Sequence, residues 1–296
     1  MPCCALLTMS DIGDYIAYDH LLIAPLARMG WQAELVPWDV PTDWDRYQAV
    51  IIRSPWDYQD RLEQFMQVLQ QIECSRAKLF NPLSIVQWNH DKRYLQQLQQ
   101  RGCVIVPTCF VEQITATDVA RAFAHFGSDR LILKPVISAA ALNTHVLRRD
   151  DWESTWPTIQ PAFQQRVAML QPFIDAVLTE GEYSLFYFSG EFSHAIVKRP
   201  RPGDFRVQEE YGSRLQNIEP KQDLLLAADQ ALQITRAITE TDLLYARIDL
   251  VRLADGTAAI MELELIEPSL YFSMDAASPE RFAAAFDAVT AEINRS

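Results

Sequence analysis

Residues 245–272, YARIDLVRLADGTAAIMELELIEPSLYF, constrain the fold more than any other stretch of this chain. Two apolar-rich runs, 246–253 and 258–265, flank Asp255-Gly256, a dipeptide suited to a tight hairpin turn. Centring the turn there sets Asp249 opposite Glu262 and Arg247 opposite Glu264. Side chains alternate faces along a strand, so these four project to one side of the sheet, while Ile248, Leu250, Leu263 and Leu265 project to the other. Carboxylates that close repel one another unless positive charge sits among them, and one arginine does not balance Asp249, Glu262 and Glu264. A divalent cation would. Oxygen ligands with no His or Cys nearby select a hard ion, magnesium first. The same alternation also describes an ordinary strand with a wet, charged face.

Elsewhere the periodicity is that of an α/β chain with α+β lobes. Short apolar runs at 4–9, 33–37, 49–53 and 78–80 alternate with helical patterns at 20–29 and 61–73, the wiring of a small parallel sheet flanked by helices. One helix is expected over 84–100, then strands at 103–106, 111–113 and 131–134 with a helix over 117–126, then a helix over 151–170. Antiparallel strands at 183–188 and 191–198 turn at Ser189-Gly190, and helices over 221–239 and 279–294 bracket the acidic hairpin. The expected organisation is an N-terminal α/β domain over 1–90 on the substrate side, a central lobe over 91–168, and a C-terminal lobe over 169–296 that carries the metal site.

Charge removes several classes of partner. At −13, the chain repels nucleic-acid backbones and anionic membranes, so neither is expected to bind. A basic stretch, Lys198-Arg199-Pro200-Arg201, stands out and suits either a small phosphorylated ligand or a solvated loop. The five cysteines (Cys3, Cys4, Cys74, Cys103, Cys109) are odd in number and lack a C-x-x-C pair, which argues against a disulfide framework and for a reducing, cytoplasmic setting. No secretory n-region and no apolar run of membrane-spanning length is visible.

The nine glycines form neither a G-x-G-x-x-G nor a G-x-x-x-x-G-K-[ST] pattern, so a Rossmann dinucleotide site and a P-loop are both disfavoured. Two lysines are nevertheless well placed. Lys134 ends the apolar strand LILK just before Pro135, and Lys92 lies in WNHDKRYL, read as helical. Arg53, Ser54, Trp56 and Asp57 follow a strand at the carboxyl end of the first sheet, where open α/β sheets bind ligands, and a structural turn with a packed Trp fits them nearly as well. Glu267 and Ser269, just beyond the acidic strand, are placed to touch an amine-bearing substrate.

The strings RSPWDY (53–58), WNHDKRYL (88–95), LKP..SA (133–139), QPF..AV.TEGEYSLFYFSGEFSHA (171–195), KRPRPGDFRVQEEYG (198–212) and MELELIEPSLYF (261–272) together resemble the ATP-grasp superfamily, in its glutathione-synthetase-like branch with its cyclo-ligases. The resemblance implies an ATP-grasp fold, in which an N-terminal parallel lobe precedes two α+β lobes that clasp ATP. It implies ATP and magnesium, two ions, as cofactors, and admits a homodimer. Lys92 and Lys134 would contact the nucleotide phosphates, Ser138 and Lys198 would also be cofactor-binding, and Gln171, Pro172, Phe173 and Ile174 would be the hinge that holds adenine through backbone groups. Glu180 or Glu182 would reach the ribose, and the two stay open as alternatives. Asp249, Glu262 and Glu264 match the magnesium ligands, and Arg247 and Arg206 the arginines at the reacting centre. One departure is the loop 138–144, SAAALNT, which lacks the family's glycine.

The implied chemistry is a carboxylate–amine ligation. A substrate oxygen attacks the γ-phosphate, an acyl phosphate forms, and an amine displaces phosphate to make a C–N bond, in a ring or between molecules. A phosphotransferase that stops at the phosphorylated product, and an ATP-binding module without turnover, are the competing readings.

Overall fold

The computed structural model describes residues 1–138 and 143–291. The apolar runs of the first eighty residues become β1 (Cys3–Thr8), β2 (Gln32–Pro37), β3 (Ala49–Ser54) and β4 (Lys78–Phe80). They pair in parallel in the order β2-β1-β3-β4. Parallel neighbours need crossovers, which α1 (Ile23–Arg28) and α2 (Leu62–Cys74) supply. Phe65, Leu69 and Ile72 recur at helical spacing on α2 and pack with Leu7, Val50 and Ile52 on one face of the sheet.

The single helix expected over 84–100 is broken into α3 (Leu83–Asn89) and α4 (Tyr94–Gln100). Lys92 therefore lies in a tight link and not in a helix, its backbone N–H given to Val136 O at 2.9 Å. The second sheet contains β5 (Cys109–Val111), β6 (Arg130–Pro135), β7 (His145–Arg148) and β8 (Ala168–Pro172) in the antiparallel order β5-β8-β6-β7, backed by α5 (Ala116–Phe126) and α6 (Trp152–Ile159). Thr115 and Asp118 form a reciprocal cap that starts α5. The helix expected over 151–170 stops at Ile159, because Pro161 has no N–H to continue it, and a 3-10 turn (Gln160–Phe163) leads into β8. The second sheet thus extends through β8 to Pro172.

The third sheet follows α7 (Ala176–Thr179) and is antiparallel, β11-β10-β9-β12-β13, built from β9 (Glu182–Phe188), β10 (Glu191–Arg199), β11 (Arg214–Ile218), β12 (Tyr245–Arg252) and β13 (Ala258–Glu264). On one face, α8 (Gln222–Thr239) buries Leu224, Ala228 and Ala231 against Leu185, Ala246 and Ile248. On the other, Phe282 and Phe286 of α9 (Ser278–Thr290) join Trp31 and Phe80 of the first lobe in one apolar cluster. Among the described residues no helix is long and apolar enough to cross a membrane.

β13 is the edge of its sheet, and its outward backbone groups are met by side chains instead of a further strand. Asn89 donates to Leu263 O and accepts from Leu265 N, both at 3.0 Å. The Tyr94 hydroxyl donates to Leu263 O at 3.0 Å and accepts from Leu263 N at 2.8 Å. Asn81 bonds Leu265 O at 2.8 Å and Tyr245 O at 2.9 Å. Residues 103–106, expected as a strand of the central lobe, cover the remainder: Ile260 N meets Val104 O and Val106 N meets Ile260 O at 2.9 and 3.0 Å.

Asn89→Ala leaves the buried Leu265 N–H without its acceptor, and the expected loss, read from urea unfolding, is roughly 1–3 kcal/mol.

Candidate active site

The three sheets meet around one cleft, floored by the outer face of β12 and β13. The turn joining those strands closes with Leu253 N on Thr257 O at 2.9 Å, one residue out of the register expected from Asp255-Gly256. A β-bulge at Met261 restores it, so Asp249 does stand opposite Glu262 and Arg247 opposite Glu264. Met261 and Glu262 both line the cleft.

The acidic face is not short of positive charge. Arg247 donates through Nε to both Asp249 oxygens at 3.1 Å, and its far nitrogens reach Glu264 and, at 3.1 Å, Ser269 O. Lys198, from β10 across the sheet, lies 2.6 Å from Glu182 and 3.5 Å from Asp249. Lys92 lies 3.1 Å from Glu262 and also donates to Ser138 O. Counting Arg247 alone therefore understates the compensation, because Lys198 and Lys92 are remote in sequence from the hairpin. Ser184, opposite Asp249 on β9, donates to its carboxylate.

Burial raises the cost of every charge here, and the partners decide the outcome. Asp249 is pushed up by burial and pulled back by Arg247 and Lys198, and rests at about 2. Glu264, buried with less help from Arg247 and beside Asp249 and Glu262, is pushed up to about 8. Glu182 is raised by burial against the pull of Lys198. Lys134 lines the cleft without an ion pair among the described residues, and loss of water lowers its pKa.

No three His, Cys, Asp or Glu side chains converge as a ready-made metal cage among the described residues. The donor set nonetheless fits magnesium in kind, being carboxylate oxygen throughout. It fits in number as well, because magnesium is held by one or two carboxylates together with substrate phosphates, not by an all-protein cage. Asp249, Glu262 and Glu264 would supply those carboxylates.

The other expected residues divide. Ser138, Gln171, Pro172, Phe173, Ile174, Glu182, Lys198, Arg206, Trp56, Glu267 and Ser269 line the cleft. Val106, Ile132, Ile174 and Met261 give one end an apolar wall. Within the segment 171–174 the Phe173 N–H is given to Arg130 O at 3.0 Å. Glu180 turns away, toward Arg252 at 3.7 Å and the Tyr183 hydroxyl at 3.2 Å, which leaves Glu182 as the acid inside. Between them Gly181, at φ +105°, lets β9 start against β10, since a Cβ there would lie 2.7 Å from Lys198 O. Arg206 is clamped by Asp204 at 2.8 and 3.1 Å and lies over the Tyr211 ring. Of the loop 138–144, residues 139–142 lie outside the described residues.

Arg53, Ser54 and Asp57 do not line the cleft, contrary to the expectation that they touch substrate. Arg53 is fully buried and pairs with Asp19 at 3.0 Å, Ser54 donates to Thr8 Oγ1 at 3.0 Å, and Asp57 accepts from Trp38 Nε1 at 2.7 Å. Arg53 instead belongs to a strap. Beyond β13 the successive carbonyls of Ile266, Glu267, Pro268, Ser269 and Leu270 face, in turn, the Tyr245 hydroxyl (2.8 Å), Trp56 Nε1 (2.9 Å), Arg53 (2.9 Å), Arg247 (3.1 Å) and His194 Nε2 (3.2 Å). Tyr58 and Tyr271, which also line the cleft, were not readable from sequence, because nothing in their spacing separates them from core aromatics.

The chain is similar to known proteins in sequence and in fold. Residues 4–81 match the family model described as the N-terminal domain of the D-cycloserine synthetase DcsG. The cycloserine biosynthesis protein DcsG of Streptomyces lavendulae is 29% identical over 274 residues, covering 89% of this chain and 91% of that one. The crystal structure of D-cycloserine synthetase DcsG superimposes with a TM-score of 0.88 at 28% identity, over 97% of this chain and 99% of the other. A D-alanine–D-alanine ligase from Bacillus anthracis, complexed with ATP, superimposes with a TM-score of 0.67 at 12% identity over 100% of this chain and 99% of the other, a likeness of fold. The fold is ATP-grasp.

The strap carries a pH signature through His194, stacked on Phe186 at 4.2 Å and held neutral by burial, which lowers its pKa to about 4. A base whose folded pKa is depressed stabilises the fold above its unfolded value near 6.5 and loses that stability as pH falls toward about 4. Denaturant titrations should show a loss of up to about 3 kcal/mol over that window. His194→Gln, which keeps a donor for Leu270 O, should flatten it.

Proposed function

We propose that this chain, an ATP-grasp carboxylate–amine ligase, activates a small amino-acid-like substrate as an acyl phosphate and closes it by C–N bond formation within the same molecule. The observation that carries the reading is the floor of the cleft, where Arg247, Asp249, Glu262 and Glu264 share one face beneath Lys92 and Lys134. The similarity over nine-tenths of the chain to a protein named for cycloserine synthesis supports the ring-closing choice.

In this reading the substrate's carbonyl-bound oxygen attacks the γ-phosphorus and ADP leaves. Lys92 and Lys134 hold phosphate oxygens, for which Lys92 exchanges Glu262 and Ser138 O. Asp249, Glu262 and Glu264 would hold magnesium, two ions, which would supply positive charge to neutralise the transferring phosphate. Glu182 takes the ribose, and the apolar wall around Val106, Ile132, Ile174 and Met261 takes the base. The substrate amine then attacks the activated carbon, phosphate leaves, and the amine's proton is lost. Arg247 steadies the oxyanion, fixed in aim by Asp249 and Ser269 O, and Arg206 reaches the same centre once released from Asp204. The reading includes a homodimer and a cytoplasmic setting, which the free cysteines suit.

The test is ADP and phosphate release from ATP and magnesium across a panel of amino acids and amine donors. Turnover is expected with an amino-acid derivative, and Asp249→Asn and Glu262→Gln should each lower it at least ~100-fold. Hydroxylamine should capture a hydroxamate from the acyl phosphate. Protein that binds ATP but releases no ADP across the panel would sink the reading, and ADP release with no hydroxamate would favour a phosphotransferase.

A further inference from the structure

Glu267 is a carboxylate in the cleft that forms no ion pair among the described residues, in contrast to Asp249, Glu262, Glu264 and Glu182 nearby. Lys92, the cation whose field reaches it, is spent on Glu262 and Ser138 O. Its carboxylate meets the hydroxyl of the buried Tyr58, and Trp56 and Tyr58 line the cleft beside it. Burial pushes its carboxyl up to about 7.

A part-buried carboxylate lacking a counter-charge is an unfavourable arrangement that a cationic ligand relieves, and aromatic rings beside it add attraction for a primary ammonium. Its position is also fixed from behind. The Glu267 carbonyl is held by Trp56 Nε1, and the next carbonyl by Arg53, whose own charge is met by the buried Asp19. Arg53 and Trp56 of the string RSPWDY thus hold the strap by its backbone. We propose that Glu267 is the specificity-determining residue of the cleft, receiving the primary ammonium of an amino-acid-like substrate beside Trp56 and Tyr58, with Trp56 and Arg53 as positioning residues. This rests on the ligase reading, in which an amino-acid-like substrate must be held by a group that takes no part in the reaction while its carboxylate is activated.

The probes are D-cycloserine, a ring bearing a primary amine, and isoxazolidin-3-one, the same ring without it, titrated calorimetrically with ADP and magnesium present. Wild-type protein should bind the amine-bearing ring about tenfold or more tighter, and Glu267→Gln should bring the two within about twofold. Trp56→Phe keeps the carboxylate but frees its carbonyl, and should give an intermediate ratio. Unchanged melting temperature and ADP affinity establish that each variant is folded, and a structural role alone would not move the ratio of the two rings. Equal binding of the rings by wild type, no binding of the amine-bearing ring, or a preference kept by a folded Glu267→Gln each overturns the inference. ADP release across the amino-acid panel is read separately on the same preparations. Turnover without an amine preference overturns this inference alone, whereas absence of turnover overturns the ligase reading.

Discussion

The free edge of β13 is where the molecule is held together. A strand at a sheet edge presents unpaired N–H and C=O groups that must find partners or water. Here they are met by Asn81 and Asn89 of the first lobe, by Tyr94 of α4, and by residues 103–106. A further strand would have satisfied the same groups, but it would have carried the sheet onward into the space where α3 and the Lys92 link now sit. Sealing the edge with side chains lets the first lobe abut the strand that carries Glu262 and Glu264, and so places Lys92 against Glu262. The cleft exists because that edge is finished by side chains.

Most of the charges on the floor of the cleft are paired with one another, Lys134 and Glu267 standing outside the ion pairs among the described residues. Buried ions are costly unless compensated, and the chain compensates internally, Lys198 with Glu182 and Asp249, Arg247 with Asp249 and Glu264, Lys92 with Glu262. A polyanion entering with its own cations can take over these partners one for one, so binding becomes an exchange of ion pairs and not a fresh burial of charge. Glu267, outside this pairing, is correspondingly open to a different ligand group.

Much of this was legible in the sequence where local period decides structure. The parallel first lobe, the strands 183–188 and 191–198, and the one-sided charges of the hairpin all follow from alternation and turn residues. What was hidden depends on distant partners. The break at residues 90–93 has no proline or glycine to announce it and is held by the Lys92 N–H on Val136 O. The strand Ala168–Pro172 was masked by the apolar spacing before it, although Pro161 gave a stop signal. Arg53 reads as a ligand contact because it follows a strand at the binding end of a sheet, and only the fold shows it turned toward Asp19 and Pro268 O. The expected register at the charged face held for a reason the sequence does not show, since the turn is offset by one residue and the bulge takes that offset back.

That bulge has a consequence for what the cleft can recognise. A regular strand shows a ligand only every second side chain, so its grain along one face is close to 7 Å and its character changes no faster than that. At Met261 two consecutive residues face the same space, one hydrocarbon and sulfur, the next a carboxylate. The floor thus passes from apolar to ionic within a single residue step. A molecule lying along it meets hydrocarbon and carboxylate on adjacent residues, without a loop having to be inserted at the border.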